Sequence, residues 1–322
     1  MAAPMLPGQV VARMAKRQVR MHHLLWHEVR NGWLFYDDQT RRDLRALGWE
    51  PPRPARRPRP DGRPQVILDN FSGEDFLFMH RQMIAAVNEV LAAAGQPDYP
   101  RVKGWSPVPR PGDADYPVPP AWETGDAQFD AFLVKVKSDQ EFEDSFVPWE
   151  QDYTDPARLR QWTLGELGAR LEFTIHNQMH MRWSEESEMR PDADPTATTT
   201  IDTRWDDPSY DWLGDTYSSH VNHHFWKLHG WVDDRIEDWC RANDVEEIDW
   251  VGTWVGHMPH GHEHDPPDAV LGAEPGETRS MSSAARDDHS RNMDEALRVV
   301  AGTGWFHRLS EPVEVEPLVA SG

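Results

Sequence analysis

The sequence predicts a mainly α-helical protein with an antiparallel four-helix bundle at its core and long irregular loops between the helices. Apolar residues recur with the helical period over several segments, and two capping boxes mark helix starts. Two His-x3-His pairs have the spacing of one helical turn. A chain of 322 residues buries a sizeable core, and we expect residues 1–322 to form a single domain.

The first predicted helix covers residues 9–47, where an apolar stripe surrounds the sequence His22-His23-Leu-Leu-Trp-His27. It has to end before the segment 51–65, which contains six prolines and five arginines, because proline cannot continue a helix. We expect this segment to run extended over the surface. It would be a solvated loop or a docking strip for an acidic partner.

Two capping boxes begin the next two helices. Ser72-Gly-Glu-Asp75 predicts a helix over residues 73–94, and Thr163-Leu-Gly-Glu166 predicts one over residues 164–183. Between them, residues 95–125 have few periodic positions and are expected to form a long loop.

The last third of the chain predicts two further helices, over residues 217–242 and 282–300. The acidic, Thr-rich residues 184–210 are expected to be a loop insertion. Beyond Trp305, the alternation Val-Glu-Val-Glu permits one short strand.

The composition excludes several classes of partner. Asp and Glu number 55 against 33 Lys and Arg, which gives a formal net charge of −22, so the surface repels nucleic acid and anionic membranes. No run of eighteen apolar residues occurs, and the first twenty residues do not have the pattern of a signal peptide. The single cysteine, Cys240, excludes internal disulfides and fits the reducing cytoplasm, where we expect the protein to reside.

The two His-x3-His pairs predict a metal site. His23 with His27, and His176 with His180, each lie four residues apart, so each pair can present two imidazole nitrogens from one helix face to a single ion. His80 and His229 lie in apolar, helix-period surroundings that would direct a third nitrogen inward for each pair.

Six histidines in two sets of three, without an obligatory cysteine or carboxylate, suit copper among the metals that imidazole binds. His22 competes with His23 for one position, and spacing favours His23. On the helix over 217–242, His220, His223 and His224 are rivals of His229. The four His between Gly256 and His264 have no helical face and predict a loop that captures copper, covers the site or is simply solvated.

Four motifs in order resemble those of the type 3, or coupled binuclear, copper proteins of the tyrosinase superfamily. They are His-His-x-x-Trp-His, Gly-Glu-x-Phe-x-x-Met-His-x-Gln-Met, Leu-x-x-x-Ile-His-Asn-x-x-His and Phe-aromatic-basic-x-His-x-aromatic-aliphatic-Asp. The spacing is similar to that of arthropod hemocyanins and phenoloxidases. Tyrosinases usually have a His at the position of Phe71. The resemblance covers roughly residues 17–32, 72–90, 166–182 and 212–239.

The resemblance implies two copper ions as cofactors and O2 as co-substrate. The ligands would be His23, His27 and His80 for the first copper and His176, His180 and His229 for the second. The implied activity is a copper-dependent monooxygenase or oxidase that hydroxylates or oxidises a phenol, catechol or o-aminophenol to the quinone level. The alternatives are a hemocyanin-like O2-binding protein, a metal store, or an enzyme with another metal in the same cage.

Two further residues are candidates for proton transfer. In tyrosinases an Asn after the first ligand of the second copper, together with a nearby Glu, is thought to orient a water that deprotonates the phenol. Asn177 occupies that position, and its amide can both donate and accept. Glu172, four residues before His176, is preferred to Glu166 as the carboxylate. Asn177 is equally well interpreted as a structural residue. The expected partners are a small aromatic substrate and, as a further candidate, a copper-delivery protein.

Overall fold

The computed structural model describes residues 6–95, 97–250, 252–257 and 283–303, and it confirms a mainly α-helical protein. In the first half of the chain the helices are α1 (Gly8–Met14), α2 (Arg17–Gly32), α3 (Asp38–Ala46), α4 (Ser72–Ala94), α5 (Ala127–Lys137) and α6 (Asp139–Glu141). In the second half they are α7 (Val147–Thr154), α8 (Pro156–Leu159), α9 (Leu164–Leu171), α10 (Asn177–Arg182), α11 (His223–Asn243) and α12 (Ser283–Ala301).

The predicted helix over residues 9–47 is wrong as a single element, because the chain forms α1, α2 and α3 there. Lys16 adopts an extended backbone (ψ 133°) between α1 and α2, and the carbonyl of Ala15 accepts a hydrogen bond from Arg20 Nε (3.1 Å). Asp37 begins α3 by accepting a bond from the Thr40 amide (2.8 Å). Apolar periodicity cannot detect such short breaks, since the stripe continues across them.

The Pro/Arg-rich segment 51–65 is extended but is not merely a surface strip. Two short antiparallel strands, β1 (Arg56–Pro58) and β2 (Pro64–Val66), form a hairpin in which Arg56 pairs with Val66. The Arg56 side chain is fully buried, and Arg53 forms ion pairs with Glu74 (3.2 Å) and Asp75 on α4. These two arginines therefore attach the hairpin to the helices.

Only one of the two predicted capping residues caps its helix. Thr163 caps α9 as predicted, with its hydroxyl accepting a bond from the Glu166 amide (3.1 Å). Ser72 lies inside α4 rather than at its cap, and its amide donates to Asn70 Oδ1 (3.1 Å).

Three other segments differ from what the sequence predicts. The predicted helix over 164–183 contains a π-helical turn, Glu172–His176, between α9 and α10. The helix predicted from residue 217 begins only at His223, and a 3-10 turn, Ser219–Val221, precedes it. Helices α5 to α8, with a second π turn at Phe142–Phe146, occupy a region where no helix was predicted. The strand expected beyond Trp305 lies outside the described residues.

Helices α4 and α9 are in backbone contact. A Cβ on Gly73 would lie 2.0 Å from the carbonyl oxygen of Gly165, and one on Gly168 would lie 2.2 Å from that of Gly73. Only glycine permits this approach, which fixes the helix that carries His80 against the one that leads to His176 and His180. None of the helices in the described part of the chain is both long and apolar enough to cross a membrane.

Candidate metal centre

The six histidines selected from the sequence meet in the interior. Each is at least 97% buried, and they come from four separate stretches of helix. Helix α2 carries two of them, α4 and α11 carry one each, and the π turn and α10 carry the remaining two; they are His23, His27, His80, His229, His176 and His180.

The tightest part of the cluster joins His176, His180 and His229. The Nε2 atom of His176 lies 3.0 Å from Nε2 of His229 and 3.1 Å from Nε2 of His180. The Nδ1–H of His180 donates to the Leu213 carbonyl (2.9 Å), and that of His229 donates to the Phe225 carbonyl (2.8 Å). Since a carbonyl can only accept, both Nε2 atoms carry lone pairs.

Nδ1–H of His176 donates to the Asn177 side-chain oxygen, so the Nε2 of His176 also carries a lone pair. Lone pairs that face one another at 3.0–3.1 Å repel unless a cation lies among them. Two imidazole nitrogens bound to one ion at about 2.0–2.1 Å are roughly 3.0–3.4 Å apart for bond angles between about 95° and 110°. Each of these two separations therefore fits a pair of imidazoles bound to one metal ion, and with Nδ1 protonated on all three rings neither fits an ordinary hydrogen bond.

The donor atoms of His23, His27 and His80 lie within 4.8 Å of one another. The Nδ1–H groups of His23 and His80 donate to the carbonyls of Thr216 (2.5 Å) and Phe76 (2.8 Å). Their Nε2 atoms are buried without a hydrogen-bond partner. This is the pattern of histidine ligands whose second nitrogen is held by a backbone acceptor.

His80 lies between the two sets. Its donor atom also falls within 4.8 Å of those of His176 and His229, and its ring is stacked on that of His229 with centroids 4.4 Å apart. The histidines thus form one continuous cluster, and distance alone does not divide it into two sets of three.

Burial keeps these imidazoles neutral. Desolvation lowers the pKa of His80, His176 and His229 well below the usual value, and neighbouring histidines add to the effect. It lowers the pKa of His23 and His180 to about 4. Neutral imidazole is the form that binds metal, so the cluster is ready for a cation at neutral pH.

The π turn Glu172–His176 positions His176 and leads to His180. Thr174 takes part in the local distortion: its hydroxyl donates to the Arg170 carbonyl (2.7 Å) and contacts the Tyr153 hydroxyl (2.7 Å). The turn ends at His176, and His180 follows one α-helical turn later. Single π turns are frequent at functional sites, and nothing in the periodicity indicated this one.

Asn177 lies beside the cluster and is 4% exposed. Its Oδ1 accepts a bond from Nδ1–H of His176 (3.1 Å), while its Nδ2 is buried without a partner. The amide therefore orients one imidazole and retains donors for a further oxygen atom.

Glu172 is 1% exposed and forms a buried ion pair with Arg30 (2.7 Å). Burial raises the pKa of Glu172, and the Arg30 guanidinium opposes that rise. Arg30 also donates to the carbonyl of Ser72 (2.8 Å) and lies over the Trp26 ring at 4.9 Å. The predicted proton-handling carboxylate thus has a structural partner that the sequence did not suggest.

The rival histidines have other surroundings. His220 is fully buried, donates through Nε2–H to the Met14 carbonyl (3.1 Å) and places its Nδ1 3.2 Å from Nδ1 of His23. His223 and His224 lie near the rings of Tyr99 and Tyr116.

Two contributions to the site were not expected from the sequence. His220 supports His23 from outside the predicted set, and Phe225 lies against His229 with ring centroids 3.6 Å apart. The spacing of four between Phe225 and His229 on α11 was the available signal for the second contact. His22 points away from the cluster, donating through Nε2–H to the Val255 carbonyl (2.8 Å).

Searches of protein-family models and of curated proteins found no match to this chain. Evidence for the function therefore comes from the motifs and from the geometry of the histidines.

Proposed function

We propose that this protein is a binuclear copper oxidoreductase that uses O2 to hydroxylate or oxidise a phenol, catechol or o-aminophenol to the quinone level. The main support is the approach of the His180 and His229 Nε2 atoms to that of His176, at 3.1 and 3.0 Å, next to a second group of buried His donors. The order of the four motifs, which resembles that of type 3 copper proteins, agrees with this proposal.

The donor set fits copper. Among the described residues both candidate groups consist of histidine alone, and copper has the highest affinity among the divalent ions that imidazole binds. We assign one ion to His23, His27 and His80 and the other to His176, His180 and His229. We also interpret the helical segments that carry them as an antiparallel four-helix bundle. When bound, the copper pair supplies O2 binding and two electrons.

The chain itself would hold the ligands and exclude water. Backbone carbonyls fix four of the six imidazoles, with Nδ1–H···O distances of 2.5–2.9 Å. Phe225 and Trp26, both at most 1% exposed, cover the rings with aromatic carbon. A low-dielectric site strengthens every polar contact within it.

Proton transfer would fall to Asn177. Its Oδ1 is occupied by His176, so its Nδ2 is the group that would donate to a water or to the phenol oxygen. Glu172 would accept the proton only if its carboxylate can engage that water while paired with Arg30. A small aromatic molecule in the cytoplasm is the proposed substrate, and a copper-delivery protein is a proposed partner.

Spectroscopy and turnover test the proposal. The protein is loaded anaerobically with Cu(I), exposed to O2 and examined for the near-ultraviolet band of oxygenated coupled copper, and phenols, catechols and o-aminophenols are then assayed. We expect the band and turnover in the unmodified protein and neither in His176→Ala. The matched control, His224→Ala, removes a histidine outside the cluster and should retain both.

Two results would count against this function. Fully copper-loaded protein without the band would refute a coupled pair. A band without turnover of any of the three substrate classes would instead favour the O2-binding alternative.

A further inference from the structure

His80 belongs to two sets of close donor atoms. Among the described residues, two groups of three histidines have donor atoms that all lie within 4.8 Å of one another. The first group consists of His23, His27 and His80, and the second consists of His80, His176 and His229. His180 is in neither group, although it lies beside His176. The structure therefore contains two possible three-nitrogen sites that share His80.

His80 and His229 are anchored in the same way. Each donates its Nδ1–H to the carbonyl of a phenylalanine one helical turn earlier, Phe76 on α4 and Phe225 on α11, and both distances are 2.8 Å. A carbonyl can only accept, so both Nε2 atoms carry lone pairs. The two rings are stacked, with centroids 4.4 Å apart and planes inclined by 27°. His80 and His229 are therefore equivalent donors on neighbouring helices.

The packing around His80 associates it with the second group more closely than with α2. Its ring centroid is 4.4 Å from that of His229 but 5.6 and 5.7 Å from those of the two ligand candidates on α2. The ring of Phe76, which is fully buried, contacts both His80 and His176, with centroids at 4.6 and 4.9 Å. One aromatic side chain thus holds His80 next to His176.

The donor spacing favours the second group as the site of a single ion. Two nitrogens bound to one ion at about 2.0–2.1 Å are at most about 4.2 Å apart, so donors within 4.8 Å need only small side-chain rotations. One pair in this group, His176 and His229, already has its Nε2 atoms 3.0 Å apart. His180 lies outside the group and would have to move further to share an ion with His229. Binding costs least where the donors are preorganised, and that site includes His80.

We propose that the first metal ion to enter the centre is bound by His80, His176 and His229. When a second ion binds to the two histidines of α2, His80 becomes its third ligand, and His180 replaces His80 at the first ion. The ions are therefore loaded in a fixed order, and one ligand changes partner. At full loading the ligand sets are those of the proposed function, on which this inference rests.

The test measures the affinity of the metal-free, full-length protein for one equivalent of Co(II), in anaerobic competition with a chelator. Imidazole binds several divalent ions of the first transition series, and the visible absorption of Co(II) reports its binding. We expect His80→Ala to lower this affinity by more than the roughly 100-fold that loss of a group hydrogen-bonded to a ligand costs at most. The matched controls, His27→Ala and His180→Ala, each remove one buried histidine of the same centre and should keep the unmodified affinity for the first equivalent.

Each alternative has its own pattern of affinities. A weaker first equivalent in His180→Ala would place the single ion on His176, His180 and His229, and a weaker one in His27→Ala would place it on the first group; either result overturns the proposal. The two controls decide the question even if His80→Ala does not fold, because unmodified affinity in both leaves only the site that contains His80.

The outcome can be separated from that of the proposed function. The measurement uses one equivalent of Co(II) and no O2, so it does not depend on a coupled copper pair. Absence of the near-ultraviolet band at full copper loading would refute the pair and leave the order of loading intact. A band together with weaker binding in His180→Ala would retain the pair and refute the order.

Discussion

The buried ion pair between Arg30 and Glu172 should be among the most sensitive points in the molecule. Both side chains are at most 1% exposed, and the Nη1–Oε1 distance is 2.7 Å. Arg30→Met removes the cation that is paired with the buried Glu172 carboxylate and leaves Arg56 and Asn31 as its remaining polar neighbours. It also removes a donor from the Ser72 carbonyl.

Breaking such a pair from one side costs about 3–5 kcal/mol of unfolding free energy, since the remaining charge has no water to solvate it. The double variant Arg30→Met, Glu172→Gln removes both charges and should therefore recover a large part of this loss. The matched control is Arg81→Met, which breaks a pair with Asp233 of the same length, 2.7 Å, at side chains 25% and 26% exposed, and a second pair with the more exposed Glu237. Solvent screening limits that loss to about 1 kcal/mol or less.

Urea unfolding of the metal-free proteins, followed by circular dichroism, measures these differences. The deficit of Arg30→Met should also shrink as the pH is lowered, because burial already raises the pKa of Glu172 and protonation removes the unpaired charge. The reasoning is refuted if Arg30→Met and Arg81→Met lose the same stability, or if the double variant is no more stable than Arg30→Met.

Three other predictions concern packing, pH and proton transfer. Gly73→Ala forces its Cβ to 2.0 Å from Gly165 and should cost about 1–3 kcal/mol in urea unfolding, whereas Gly8→Ala, with open space around it, should cost almost nothing. The pKa of His23 and of His180 is about 4 in the folded protein and about 6.5 in the unfolded chain. The metal-free protein should therefore lose stability as the pH falls from about 6.5 towards 4, by up to roughly 1.4 kcal/mol per pH unit for each group. A urea midpoint that is constant over this interval would contradict the burial of the two imidazoles. In steady-state assays, Asn177→Leu should slow phenol hydroxylation by about 100-fold or more and leave catechol oxidation largely intact. An equal loss of activity on both substrates would mean that the Asn177 amide only positions His176.

Local patterns in the sequence were sufficient to locate the helical segments that carry the six histidines and to select those histidines. The spacing of four within His23/His27 and His176/His180 fixes each pair on one helix face whatever the rest of the chain does. The apolar residues around His80 and His229 determine that these side chains point inward. The structure brings five of the six into groups of close donor atoms and places His180 beside His176, although their role as copper ligands stays a prediction.

Contacts between residues distant in sequence could be found only in the tertiary structure. Periodicity gives no sign that Arg30 pairs with Glu172, or that His220 lies against His23. It also missed helices α5 to α8 and the π turn before His176. The π turn involves local side-chain bonds, such as that of Thr174, and these leave no pattern in the spacing of apolar residues.

The sequence by itself determined which imidazoles can share a helix face, because that depends only on the helical repeat. Tertiary packing decided which imidazoles meet. His22 and His23 are adjacent in the chain, yet Val255 and His289 surround the first, while Thr216 and His80 surround the second. The environment of a buried imidazole depends on the segments that pack against it. Which segments pack there depends on the burial of apolar surface across the whole chain.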